Sequence, residues 1–143
     1  NVFSLASMFK AVIALAFSAY YPFMVRVVGD IGERVVFGIP FLVFSMALWI
    51  VANTKSAFLA GFVVVLGAIP FIATQTIPVA IAVSAFPDNL ASNLGILNLF
   101  CVSAQLFDTM YTGFVAKSMG EGAVMRVASI WAFVAGVAAF LLL

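Results

Sequence analysis

AFLAGFVVVLGAIPFIATQTIPVAIAVSAF, residues 57–86, contains no charged side chain. A helix crosses the hydrocarbon core of a bilayer in roughly 20 apolar residues, whereas a strand of a membrane barrel needs about ten residues that alternate in polarity. The stretch has the length of the first and none of the alternation of the second. It predicts a transmembrane helix.

Reading outward, the same pattern returns on both sides. Spans are predicted at about 5–28, 35–52, 57–86, 91–116 and 123–143, giving an all-α membrane protein with five transmembrane helices. Composition agrees. Of 143 residues, 66% are hydrophobic and 8% charged, against about 25% charged in soluble domains. Mean hydropathy is +1.30. Short links separate the spans: RVVGDIGER (26–34), NTKS (53–56), FPDNLAS (86–92) and KSMGEG (117–122). Their Gly, Asp, Asn and Pro residues favour turns. Links this short make successive helices antiparallel and leave no soluble domain. The chain begins without Met and ends in the apolar run AAFLLL. It is therefore expected to be a piece of a longer membrane protein.

Several function classes drop out. The chain has no histidine, which excludes histidine-based triads and HExxH zinc sites. Cys101 is the one cysteine, so no internal disulfide or zinc motif is possible, and it is expected to pack within a helix. Neither GxSxG, a P-loop nor GxGxxG occurs. No enzyme activity, metal or cofactor is expected. Six scattered basic residues form no nucleic-acid face. The partners to expect are the lipid bilayer and a small solute.

Polar residues inside the spans carry the functional signal. In the fourth span Asn98, Cys101, Gln105, Asp108 and Thr112 fall within an arc of roughly 80° at about 100° per residue. Leu99, Phe100, Leu106, Phe107, Met110 and Phe114 face the other way. A carboxylate at the centre of a membrane helix costs on the order of 2.5–3.5 kcal/mol on insertion scales, and polar neighbours on the same stripe lower that cost. The stripe reads either as the lining of a solute pathway or as interhelical hydrogen bonding. In the third span Pro70 frees the carbonyl of Leu66, and Pro78 that of Thr74. Thr74, Gln75 and Thr76 stand beside these positions. A helix broken beside polar side chains is a recurring transporter device, and a plain kink is the alternative. In the first span Ser7, Lys10, Ala14, Ser18 and Tyr21 form a small and polar stripe. Lys10 either snorkels to the interface or, from its depth, pairs with Asp108. Trp49 and Tyr111 read as interfacial anchors, Arg126 as snorkelling, and the deeper Trp131 as packed.

Two runs carry a resemblance. LGAIPFIATQTIPVAIAVS followed by SNLGILNLFCVSAQ resembles the tenth and eleventh helices of sucrose transporters, in the glycoside–pentoside–hexuronide:cation symporter family of the major facilitator superfamily. Pro70, Ile77 and Pro78 match the family's Ile-Pro and Ser-Ile-Pro-Phe-Ala run. Gly95, Leu97, Asn98 and Gln105 match its Leu-Gly-Val-Leu-Asn-Leu motif and the glutamine seven residues on. RVVGDIGER is similar to a degenerate form of the superfamily's loop between helices eight and nine, keeping Asp30, Gly32 and Arg34.

The resemblance implies that the spans are helices 8 to 12 of a twelve-helix transporter, with this loop and the C-terminus in the cytoplasm. The positive-inside count alone leans weakly the other way. Arg26 and Arg34 lie on one side, and Lys10, Lys55, Lys117 and Arg126 on the other. The resemblance also implies proton-coupled uptake of sucrose or a related sugar, completed by the N-terminal helices of the same protein. Asn98, Gln105, Thr74 and Gln75 are then expected to line the sugar pathway. Asp108 departs from the family pattern. It is either a proton-linked carboxylate on that pathway or the partner of Lys10, which also departs from the pattern. A carrier for another small solute on the same fold, and a membrane scaffold with its polar stripe sealed in helix contacts, are the alternatives. Either a plasma or an organelle membrane fits.

Overall fold

Chains of apolar residues in a bilayer satisfy their backbone groups by forming helices, and this chain does so almost without interruption. The computed structural model describes residues 2–54, 56–85 and 87–142. Its helices are α1 (Val2–Val28), α2 (Gly32–Ala52), α3 (Ala57–Leu66), α4 (Ala68–Ala85), α5 (Leu90–Met119) and α6 (Glu121–Leu142). Short 3-10 turns at Gly29–Ile31 and Pro87–Asn89 join α1 to α2 and α4 to α5. Five stretches are long and apolar enough to cross a membrane, with α3 and α4 forming one of them. Lys55, Phe86, Leu143 and the Asp30 side chain lie outside the described residues.

The turns have local causes. Gly29 and Gly120 adopt φ of 78° and 84°, the left-handed region that glycine enters freely. Ser56 caps α3 by accepting from the Leu59 amide at 3.4 Å. Glu121 sits in the first turn of α6, where the helix dipole favours an acid. The RVVGDIGER loop is tighter than expected. Arg26 ends α1, and Glu33 and Arg34 open α2. Gly32 is buried against the backbone of Val25, where a Cβ would strike the carbonyl, so this glycine has a packing role.

The two prolines of the third span act differently. Pro70 lacks the N–H that would reach Leu66, and the helix breaks there, between Leu66 and Ala68. Gly67 bridges the break. Its amide bonds to the Val63 carbonyl at 2.9 Å, and its own carbonyl accepts from Phe71 at 3.2 Å. Pro78, expected to break the helix too, lies inside an unbroken α4. The Thr74 and Thr76 hydroxyls bond to the Phe71 and Ile72 carbonyls at 2.6 and 2.9 Å, within their own helix. Neither hydroxyl is spent on a broken end.

Packing centres on α2, which touches α1, α3, α4 and α6. The most extensive contact joins α2 to α6, antiparallel. Ser129, Ala132, Gly136 and Ala139 form a buried stripe at spacings of 3, 4 and 3. It faces Gly38, Ser45 and Leu48 of α2, all buried. Small residues let two membrane helices approach closely. Ser45 Oγ donates to the Ser129 carbonyl at 2.8 Å, and Ser129 Oγ donates to the Ser45 carbonyl at 2.8 Å. Leu48, Val63 and Ala132 form the core where α2, α3 and α6 meet. Pro70, Ala73 and Ile77 of α4 are buried along a single stripe, and Ala68 is buried on the opposite side of the helix. Trp131, expected to pack, is 65% exposed. It lies about 120° around α6 from the centre of the small-residue stripe.

Candidate functional site

α5 lies at the edge of the bundle. Among the described residues its contacts are with α4, α6 and the turn that precedes it. Leu94, Leu97, Cys101, Gln105, Asp108, Thr112 and Val115 share an inner arc of about 80°. Leu94, Leu97 and Cys101 are half-buried near one end of this arc, and Thr112 and Val115 are half-buried and buried near the other. Between them, Gln105 and Asp108 are exposed. The arc that touches the bundle at both ends stands open in the middle. Gln105 occupies the midpoint of Leu90–Met119, so the opening falls at the depth where a spanning helix meets the bilayer centre.

The polar groups there are free to bind. Among the described residues Asp108 accepts one weak hydrogen bond, from Thr112 Oγ1 at 3.3 Å. Thr109 Oγ1 donates to the Gln105 backbone carbonyl at 2.8 Å, and the Gln105 side-chain amide has no hydrogen-bond partner among the described residues. Asn98, on the rim of the arc, is exposed. Cys101 is a free thiol on the inner arc. The outer face of Leu99, Phe100, Leu106, Phe107, Met110 and Phe114 is exposed, as a lipid-facing surface would be.

Lys10 and Asp108 are not paired. α1 and α5 share no contact among the described residues, because α4 and α6, not α1, pack against α5. The Lys10 ammonium lies over the Phe71 ring, 5.0 Å from its centroid. A cation over an aromatic face gains roughly 0.5–2 kcal/mol, more when desolvated. Matching depth in two antiparallel spans was the whole basis for the expected pair, and it holds no information about which helices are neighbours.

Lys10 instead opens onto a separate cleft of about 1010 Å³ between α1, α2, the α3–α4 bend and α6. Thr74 and Pro70 line it. Gln75 is exposed on α4 and stands outside it, and no residue of α5 reaches it. The structure therefore divides the expected pathway residues. Asn98, Gln105 and Asp108 share the edge helix; Thr74 and Lys10 share the cleft. The Arg126 guanidinium donates to Asn53 Oδ1 at 3.1 Å, at the end of α2. Trp49, three residues from the end of α2, and Tyr111, eight from the end of α5, are both exposed.

Two features went unread in the sequence. The small-residue stripe of α6 was visible as Ser129, Ala132, Gly136 and Ala139, and Gly38 and Ser45 lie seven apart on α2. The cleft had no linear signal, since its walls come from four regions of the chain. Comparison with family models, characterised proteins and solved structures finds no match to this chain.

Proposed function

We propose that the chain is a C-terminal portion, helices 8 to 12, of a major facilitator transporter that takes up sucrose or a related sugar together with protons. The observation that carries this reading is the open middle of the inner arc of α5, where Gln105 and Asp108 are exposed at mid-helix. A polar gap at that depth has to be filled by water, solute or protein. Transporters of this architecture bind solute near the midplane and rock two halves about it.

The chemistry suits a sugar. The amides of Asn98 and Gln105 both donate and accept, as hydroxyl groups require. Asp108, without a cationic partner among the described residues, is the group to carry the coupled proton. A scaffold that sealed this stripe would need another chain to cover it, because α4 and α6 leave it open.

Radiolabelled sucrose uptake by cells expressing the protein, with and without an imposed acid-outside gradient, tests the proposal. Uptake should follow the gradient. Asp108→Asn should abolish gradient-driven uptake and spare sucrose exchange, and Gln105→Ala should raise KM. Gradient-independent uptake in the wild type, or intact coupling in Asp108→Asn, rules the mechanism out.

A further inference from the structure

We infer that the cleft between α1, α2, the α3–α4 bend and α6 is a second site, which binds an amphipathic organic monoanion through Lys10. The inference does not rest on the reading of α5, none of whose residues line the cleft.

The order of the lining residues gives the cleft a direction. Thr54, Ser56 and Glu121 form one end, at the links where α2, α3 and α6 begin or end. Phe44, Leu48 and Val63 form apolar walls beyond them. Lys10 and Phe71 lie at the far end. Phe71 stands about 14 residues beyond Ala57, roughly 20 Å along the span at about 1.5 Å per residue. The cleft therefore runs from a polar mouth at one membrane surface to a cation near mid-depth. Its volume of about 1010 Å³ is that of a site for a drug-sized molecule.

The chemistry at the far end defines the ligand. A lysine within a membrane span is costly unless it is compensated. Lys10 has the Phe71 ring beneath its ammonium and is half-buried. A ring holds a cation in place without neutralising it, so the remaining ammonium protons stay available to an anion. A carboxylate meeting Lys10 would complete the charge, and its apolar body would lie against Phe41, Phe44 and Phe71. Among the described lining residues Lys10 is the one cation, which matches a single negative charge. A neutral sugar could accept a hydrogen bond from Lys10 but could not neutralise its charge, and it has few hydroxyl partners on these walls.

The test uses 2-naphthoate and its neutral isostere 2-naphthamide, with the full chain in lipid nanodiscs and binding followed by ligand fluorescence. A charge-assisted hydrogen bond in such a site makes naphthoate the tighter ligand by about tenfold or more. Lys10→Gln should erase that preference and Lys10→Arg should keep it. Phe71→Leu should weaken both ligands. Equal binding of naphthoate and naphthamide to the wild type overturns the inference, as does absence of binding. A Lys10→Gln chain that still prefers naphthoate overturns it too. The wild-type comparison needs no variant to fold.

Discussion

Gly136→Ala should destabilise the bundle, while Gly38→Ala should not, although both glycines lie in the same interface. A Cβ on Gly136 would stand 2.9 Å from the Leu42 side chain and 3.1 Å from the Gly38 carbonyl oxygen. Leu42 can turn aside. The carbonyl belongs to the backbone of α2, so α2 and α6 must part by a few tenths of an ångström. Overpacking of this kind costs about 1–3 kcal/mol. Parting the helices also stretches the two 2.8 Å serine bonds one helix turn or two away, each worth about 0.6 kcal/mol in a membrane. Alanine returns up to ~1 kcal/mol of helix propensity over glycine, leaving a net loss of about 1–3 kcal/mol. A Cβ on Gly38 meets the Phe140 ring at 2.5 Å. Phe140 is partly exposed, so its ring can swing outward, and the change should stay within about 0.5 kcal/mol of wild type. Unfolding in mixed detergent–lipid bicelles by titration with dodecyl sulfate, followed by far-UV circular dichroism, measures both. If Gly38→Ala is as damaging as Gly136→Ala, backbone approach is not what fixes this interface.

The serine exchange has its own signature. Ser45→Ala and Ser129→Ala should each cost about 0.6–1.7 kcal/mol, and because the two hydroxyls also lie 3.2 Å apart the double variant should cost more than either single one but less than their sum. A double variant no worse than either single one in the same titration would contradict the two-bond geometry. Pro78→Ala should be neutral or stabilising, because α4 already runs through that position; a large loss of helix stability would show the proline to be needed. Neutralising Lys10 and Asp108 together should give additive effects within about 0.5 kcal/mol, and a strongly compensating double variant would restore the pair that the structure separates. Cysteine at 105 or 108 should react with an aqueous thiol reagent much faster than cysteine at 115, which is buried. Equal, slow labelling at all three would close the gap inferred on the inner arc of α5.

The sequence made the helices legible because hydrophobic length is a local property. Predicted spans at 5–28, 35–52, 91–116 and 123–143 fall within about three residues of the observed ends, inside the usual uncertainty of helix boundaries. The third span divided at Gly67, just before Pro70, and ran on through Pro78, although each proline lacks the N–H that would reach the carbonyl four residues back. Periodicity also found the inner arc of α5, since 3.6 residues per turn places Gln105 and Asp108 beside Cys101 and Thr112 whatever packs there. It gave no means of knowing that this arc would stand open at its centre.

Neighbour relations lay beyond it. Depth in the membrane can be counted along each helix, and Lys10 and Asp108 agreed in depth. Lateral position cannot be counted, and α4 and α6 flank α5 where α1 was expected. By itself the sequence determined that this chain is helical, that it is apolar enough to cross a membrane five times, and where its turns fall, because backbone hydrogen bonding in an apolar medium leaves few choices. Only the tertiary structure decided that α2 and α6 close through glycines and a reciprocal serine pair, that Lys10 faces Phe71 and a cleft, and that Lys10 and Asp108 lie on helices that do not touch. Those outcomes depend on shape complementarity between distant segments, which no local pattern in the chain encodes.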